Sequence, residues 1–339
     1  MSTAPVAVLV RPGMIEIEER QVPEPGPGQV LIEVSAVGVC GSDVHYFTEG
    51  RIGDFVVESP LVLGHEAAGV VRALGEGVKG LGPGQRVALE PGVPCGRCRT
   101  CRSGRYNLCP DVQFLATPPV DGAFARYLVH DAAFCHPLPD GISDDTGALL
   151  EPLSVGIWAA WKARLSVGDR VVVTGAGPIG LVATAVARAS GAAEVIVSDV
   201  QAARLPLAQR MGATATVSGG KSELAGLGAD VLIECSGSPA ALDAGLHGLG
   251  PGARAVVVGM APDTHVAIPF SLVQRQEIEL VGTFRYAGTY PSAIALAASG
   301  AVDLEGLVSG HYGLSEVAEA LQIGKRDPLA VKPVVLPGS

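Results

Sequence analysis

The chain has 339 residues, 48% hydrophobic and 17% charged, with 45 Gly and 25 Pro; this excludes a disordered or fibrous protein and leaves room for two cores at roughly 150 residues per domain. Aromatic residues make up only 4%, so Val, Ala, Leu and Ile must fill those cores. With 24 Lys plus Arg against 34 Asp plus Glu the net charge is -10, a field that repels phosphate backbones and anionic lipid, so no nucleic-acid or membrane partner is expected.

Up to about residue 150 the chain reads as short period-two apolar segments broken by Gly and Pro, at 6–10, 30–37, 69–74, 86–89 and 124–129. That is a β-rich, barrel-like unit. From Arg170 onward, apolar runs at 170–174, 194–198, 215–217, 230–235, 254–258 and 279–282 alternate with Ala-rich helical stretches, the pattern of a doubly wound parallel sheet. The crossover between Val217 and Asp230 has only 12 residues, so its helix must be very short. Helices are expected over 291–299 and near 314–321, and a last strand over 334–336 finds its simplest home in the first domain. The apolar run 171–187 is too short, and too broken by Gly-Ala-Gly-Pro, to span a membrane. The N-terminus has no basic region followed by a long apolar run, since Pro12 and Gly13 intervene, and a cytoplasmic location is expected.

Gly175-Ala176-Gly177-Pro178-Ile179-Gly180 follows one strand and opens a helix, the context in which such glycines form a dinucleotide site. Gly175 permits the tight turn, Gly177 lets backbone N–H groups approach a pyrophosphate at the helix N-terminus, and Gly180 allows close packing of helix on strand. Nineteen residues after Gly180, Asp199 ends the second strand, where a carboxylate can accept hydrogen bonds from the ribose hydroxyls and repel a 2'-phosphate, favouring NAD over NADP. Arg204 could attract a phosphate or lie over the adenine, and Asp199 could instead be a strand-end or cap residue.

Cys95-x2-Cys98-x2-Cys101-x7-Cys109 lies in a loop with little apolar content, so four thiolates closing on a tetrahedral zinc would supply its order. Arg97, Arg99, Arg102 and Arg105 are interleaved and can favour the thiolates. Unrelated free thiols, or a zinc ribbon that binds nucleic acid, are the other readings, the latter at odds with an acidic chain carrying a dinucleotide fingerprint. A sparser set, Cys40-Gly41-Ser42-Asp43-Val44-His45, Gly64-His65-Glu66 and Glu151-Pro152, could form an open zinc site with room for water or substrate. Each member also has a plain structural reading: Cys40 as a small hydrophobe, His65 as a core histidine, Glu151 as the start of a helix.

Together these residues resemble the zinc-dependent medium-chain dehydrogenases, and among them the sorbitol and xylitol dehydrogenases, over essentially the whole chain. The resemblance is carried by Val39-Cys-Gly-Ser-Asp-Val-His-Tyr46, Leu63-Gly-His-Glu-Ala67, Gly104-Arg-Tyr-Asn-Leu108, Ala116-Thr-Pro-Pro119, Leu150-Glu-Pro-Leu-Ser-Val155 and Thr283-Phe-Arg-Tyr286. It implies an α/β protein with a β-rich GroES-like catalytic domain over 1–154, a Rossmann NAD-binding domain over 155–288 and a return to the catalytic domain over 289–339. It further implies Cys40, His65 and Glu66 as catalytic zinc ligands, Glu151 as a direct or water-mediated ligand, and Asp43 as the group orienting His65. Cofactor contacts would come from Ile179, Asp199, Arg204, Val258, Gly259, Met260, Thr283, Phe284 and Arg285, beside Gly175, Gly177 and Gly180. Tyr46, Phe114, Thr117, Arg285 and Tyr286 match positions lining a polyol pocket, and Ser42 with His45 could relay the hydroxyl proton through the ribose to solvent.

The same resemblance implies two zinc ions per chain, one catalytic and one structural, NAD as hydride acceptor, a small polyol substrate and a homotetramer. In keeping all four cysteines the chain departs from animal sorbitol dehydrogenases and resembles microbial members. A threonine or simple secondary-alcohol dehydrogenase shares both zinc signatures and the glycine loop; Glu151 and the Phe284-Arg285-Tyr286 run speak for polyols. A zinc-stabilised binding protein without turnover would need a damaged ligand set, and the sequence has an intact one.

Overall fold

The computed structural model describes residues 2–261 and 265–339. Its chain divides into two compact units, one made of Met1–Glu151 with Leu304–Ser339, the other of Pro152–Asp303. The return to the first unit thus falls after residue 303, where 288 was expected, because the helix Tyr290–Ala298 belongs with the second unit.

The first unit is built around the strand Gln29–Gly38, whose alternating Val30, Ile32, Val34 and Ala36 are fully buried. Each such apolar side chain removed from water contributes about 1.5–3 kcal/mol for Val or Ile, which fixes the register. The strand pairs antiparallel with Glu66–Leu74, Tyr127–Asp131 and Lys332–Leu336 in a seven-stranded sheet that also contains Arg86–Leu89, Cys135–Pro137 and Val308–Gly313. The C-terminal strand therefore lies in the first unit, as its lack of a partner in the other sheet implied. Its register sets Val334 opposite Gly38, while Glu66 faces Gly38 from the other side. A Cβ on Gly38 would stand 2.1 Å from Glu66 Oε2, so only glycine leaves room for that carboxylate.

Two expected elements shift. The segment 124–129 is a strand only from Tyr127, because the buried Ala123, Phe124 and Ala125 bond irregularly to the main chain of Leu63, Gly64 and Pro5's neighbourhood instead of a full ladder. The helix near 314–321 is a 3-10 turn, Leu314–Glu316, followed by the short helix Val317–Ala320. The Glu-rich strand Met14–Gln21 pairs antiparallel with Thr3–Arg11 and none of its residues is buried, so its sequence carries no clean apolar alternation.

In the second unit six parallel strands lie in the order Ala215–Val217, Glu194–Ser198, Arg170–Thr174, Ala229–Glu234, Leu249–Val257, Glu279–Gly282. That is the doubly wound arrangement, with the switch in strand order beside Arg170–Thr174. The short crossover holds a single turn of helix, Lys221–Leu224. The helix Pro178–Ala189 is buried from Gly180 to Ala187, which its run of small and apolar residues permits.

Candidate active site and metal centres

Cys40, His65 and Glu66 each offer a ligand atom, and these atoms all lie within 4.8 Å of one another. Cys40 caps the helix Gly41–Glu49, and His65 and Glu66 stand at the start of the strand Glu66–Leu74. Asp43, fully buried, ties the two segments together: Oδ2 accepts from the Cys40 N–H at 3.0 Å and Oδ1 from the Gly64 N–H at 2.9 Å. His65 Nδ1 stands 3.6 Å from the same Oδ1, which aims the ring and leaves Nε2 for another partner. Burial opposes a charged His65, yet Asp43 and Cys40 outweigh it and raise the imidazole well above its ordinary range. That negative potential favours a cation, and thiolate, imidazole and carboxylate are a donor set that suits zinc with a position left open.

Two further groups complete this charge arrangement. Lys332, which no sequence motif marks, is buried and donates to Glu66 Oε1 at 2.7 Å, Glu66 Oε2 at 2.8 Å and the Val39 carbonyl at 3.0 Å. Glu151 is buried and lies outside the group of three; its charge acts on Lys332. The alternative of Glu151 as a helix start is not what the fold contains. Glu151 sits within the helix Asp144–Lys162, and Pro152 is inside that helix.

On the helix Gly41–Glu49, Ser42 is half-buried and His45 is exposed with Nδ1 3.4 Å from Glu49 Oε1, the two residues being three apart and so neighbours on one face. Tyr46 is buried, and Phe114 packs its ring 5.6 Å from that of His65, with Thr117 half-buried three residues on. Arg285 and Tyr286 belong to the second unit: Arg285 adopts φ of 52° and lies over the Phe284 ring at 4.8 Å, and Tyr286 is buried 6.0 Å from Tyr290.

Cys95, Cys98, Cys101 and Cys109 also hold their sulfurs within 4.8 Å of one another, all as free thiols. Cys98 and Cys101 Sγ are 3.3 Å apart, well beyond a disulfide. The Thr100 hydroxyl and the Cys101 N–H lower Cys98 to about 6, while desolvation and then the Cys98 sulfur push Cys101 up to about 12. Without a metal the four cannot all be thiolates, which is the situation a zinc ion resolves. The arginines expected to favour the thiolates, Arg97, Arg99, Arg102 and Arg105, are exposed; a hydroxyl and a backbone amide lead in that role. The loop is pinned by Tyr106, whose hydroxyl donates to the buried Glu90 at 2.5 Å, and Glu90 also meets His136 at 2.9 Å.

The glycine loop has the geometry its motif demands. Gly175 takes φ of 96°, and a Cβ on Gly180 would come within 1.8 Å of the Gly175 carbonyl. A cavity of about 400 Å³ lies beside the loop, lined among others by Gly177, Asp199, Arg204, Gly219, Ser236 and Ala241. Asp199 Oδ2 accepts from the Ala176 N–H at 2.5 Å and Oδ1 from the Gln201 N–H at 2.7 Å, so it tethers the loop as well as facing the cavity. Ile179 lies in the first turn of the helix that follows. Sequence reasoning missed Glu234, buried at the end of its strand: its side chain accepts from Ser236 N at 2.8 Å, and its carbonyl accepts from Val258 N and Gly259 N at 2.8 and 2.9 Å. Thr283 N and Oγ1 bond the Val257 carbonyl, and Met260 is exposed. These turns at the carboxyl ends of parallel strands are where such sheets bind dinucleotides.

Residues 26–140 match the alcohol dehydrogenase GroES-like domain and residues 178–299 the zinc-binding dehydrogenase domain. The chain is 45% identical over 325 residues to the sorbitol dehydrogenase of Macaca fascicularis, covering 93% of this chain and 91% of that one. The sorbitol dehydrogenase of Bacillus subtilis (strain 168) is also 45% identical, over 324 residues, with 93% and 92% covered. The chain belongs to the zinc-binding medium-chain dehydrogenases, on the sorbitol dehydrogenase branch. Among solved structures, L-idonate 5-dehydrogenase from Escherichia coli str. K-12 substr. MG1655 superposes with a TM-score of 0.92 at 31% identity over 98% of both chains. Family membership makes the protein an oxidoreductase with a small-molecule substrate and implies zinc and NAD. Among the described residues no helix is long and apolar enough to cross a membrane.

Proposed function

We propose that the protein oxidises a polyol such as sorbitol, xylitol or galactitol to a ketose with NAD, using a zinc ion held by Cys40, His65 and Glu66. The observation that carries this reading is the donor set itself, in which a carboxylate stands where a second thiolate would make a softer site, beside a second buried carboxylate, Glu151. When bound, zinc supplies Lewis acidity toward a substrate hydroxyl and NAD accepts the hydride.

The chain's own residues do the rest. Asp43 fixes Cys40 and His65 through one buried carboxylate, so the donors need no rearrangement at the moment of reaction. Glu151 orients water or a second hydroxyl at the site, and Tyr46, Phe114 and Thr117 wall one side of the pocket, with Arg285 and Tyr286 as further polyol contacts. Ser42 would accept the hydroxyl proton and His45, exposed to solvent, would pass it on to water, with NAD, when bound, supplying only the hydride acceptor. Gly175, Gly177, Ile179, Gly180, Asp199, Arg204, Val258, Gly259, Met260, Thr283, Phe284 and Arg285 bind NAD, with Asp199 choosing it over NADP. The four cysteines of the loop hold a second, structural zinc. A homotetramer in the cytoplasm completes the proposal by analogy with the family.

Two measurements test it. In a panel of polyols, simple secondary alcohols and threonine, NADH should form fastest with a polyol; threonine or a simple alcohol outrunning every polyol overturns the substrate assignment. Elemental analysis of dialysed protein should give two zinc ions per chain, and about one or none removes the two-site reading.

A further inference from the structure

Lys332 Nζ has three donors and three acceptors, two of them the oxygens of Glu66 and the third the Val39 carbonyl, one residue before Cys40. Only 1% of Lys332 is exposed. An ammonium so buried is costly unless it is matched, and here its match is a candidate metal ligand on both oxygens.

The consequence lies in the charge balance. A thiolate at Cys40 and a carboxylate at Glu66 would neutralise a divalent ion completely, which weakens its pull on a substrate oxygen and holds it in a saturated field. A cation sharing both Glu66 oxygens draws charge away from the metal and makes the carboxylate a weaker donor. It also gives Glu66 a partner to rest on whenever a substrate or water oxygen takes its place. A simple strand anchor would need neither both oxygens nor a position beside Cys40; the C-terminal strand is already held by its ladder to Gln29–Gly38 and to Val308–Gly313.

We propose that Lys332 is a positioning residue that keeps Glu66 a weak, exchangeable ligand and so sets how tightly the Cys40, His65 and Glu66 site holds its metal. This rests on the reading that those three residues bind zinc. Removing the cation leaves a more negative site, so metal affinity rises while turnover falls. A merely structural ion pair would act in the opposite way, loosening the site and weakening its hold on metal.

The test is competition for zinc between the protein and a chromophoric chelator, run on wild type, Lys332→Met and Lys332→Gln, with the cobalt-substituted proteins followed by their visible absorption. The four-cysteine loop is common to all three and cancels in the comparison. Because a unit positive charge beside the cation is removed, both variants should bind metal at this site at least about tenfold more tightly than wild type, shift the cobalt bands and lose turnover, while Lys332→Arg, which keeps the charge, stays near wild type in affinity. Unchanged or weaker affinity in folded Lys332→Gln overturns the proposal. Should either neutral variant fail to fold from a metal-free preparation, it is refolded with zinc and put through the same competition: tighter binding at this site than in wild type refolded alike supports the proposal, and weaker binding, or failure to fold even with zinc, shows that Lys332 serves the fold alone. If the wild type takes up only one metal ion and Cys40→Ser does not change that uptake, the underlying zinc reading fails and the inference falls with it.

Discussion

The four-cysteine cluster stands in an exposed loop studded with arginine and offers four sulfurs as candidate donors, whereas Cys40, His65 and Glu66 are enclosed by strands and carry a network of buried charge. In the loop, the sulfurs come from within 15 residues of each other, little else folds the segment, and of the two sulfurs 3.3 Å apart the Cys98 thiol ionises readily while Cys101 is held protonated until a cation arrives. At the other site the donors come from two distant segments that Asp43 joins, and Lys332 has already balanced part of the charge before any metal binds. A closed site obtains its order from the ion; an open one must have its order built by the protein, so that a coordination position can be left free for substrate.

The sharpest way to break this contrast is to remove one sulfur from each. Cys40→Ser should cut turnover by at least about a hundredfold while moving the thermal midpoint little, since the surrounding hydrogen bonds remain. Cys101→Ser should do the reverse, lowering the thermal midpoint or the yield of folded protein more than it alters turnover per folded chain. Equal midpoints for Cys101→Ser and wild type in a thermal scan would remove the structural role of the loop.

How much of this could be read from sequence follows the same division. The loop was legible because all its donors lie in one window at diagnostic spacing, and the parallel sheet because five of its six strands are short, uninterrupted apolar runs whose limits agree with the fold to within a residue or two. The strand Leu249–Val257 begins five residues earlier than expected, since Gly250, Pro251 and Gly252 mask its start. Lys332 was not legible: it pairs with Glu66 across 266 residues, and a single lysine opening an apolar strand announces nothing. Glu234 was hidden in the same way, as an acid ending a strand with no motif around it. Pro152 misled because proline favours helix starts, whereas here it is accommodated inside a long helix.

A finer cut separates Glu151 from the three primary donors. Outside the group of three but acting on Lys332, it should contribute through water, substrate and charge rather than by holding the metal. Glu151→Ala or Glu151→Cys should therefore depress turnover with polyols by well over tenfold, more than ~1.4 kcal/mol of transition-state stabilisation, while NAD affinity and the thermal midpoint stay nearly intact. A variant that kept its turnover and lost only stability would return Glu151 to a helical packing role and weaken the polyol assignment.

The smallest expected effect concerns the second unit, where the observed tethering by Asp199 can be separated from its proposed choice of NAD. Its two oxygens hold Ala176 N and Gln201 N, and each has a lone pair left for a ribose hydroxyl. Asp199→Ser removes both tethers and the charge, so efficiency with NAD should fall by about tenfold, of the order of one charge-assisted hydrogen bond, while the ratio of NADP to NAD use rises. A loosened glycine loop alone would weaken both cofactors alike and leave that ratio unchanged. Asp199→Asn sharpens the distinction, because the carboxamide keeps an acceptor for one backbone N–H yet no longer repels a 2'-phosphate. Relative use of NADP should rise in Asp199→Asn as it does in Asp199→Ser, with a smaller loss of NAD efficiency. If steady-state kinetics give the same cofactor ratio for wild type and both variants, Asp199 is a tether of the loop and selects nothing.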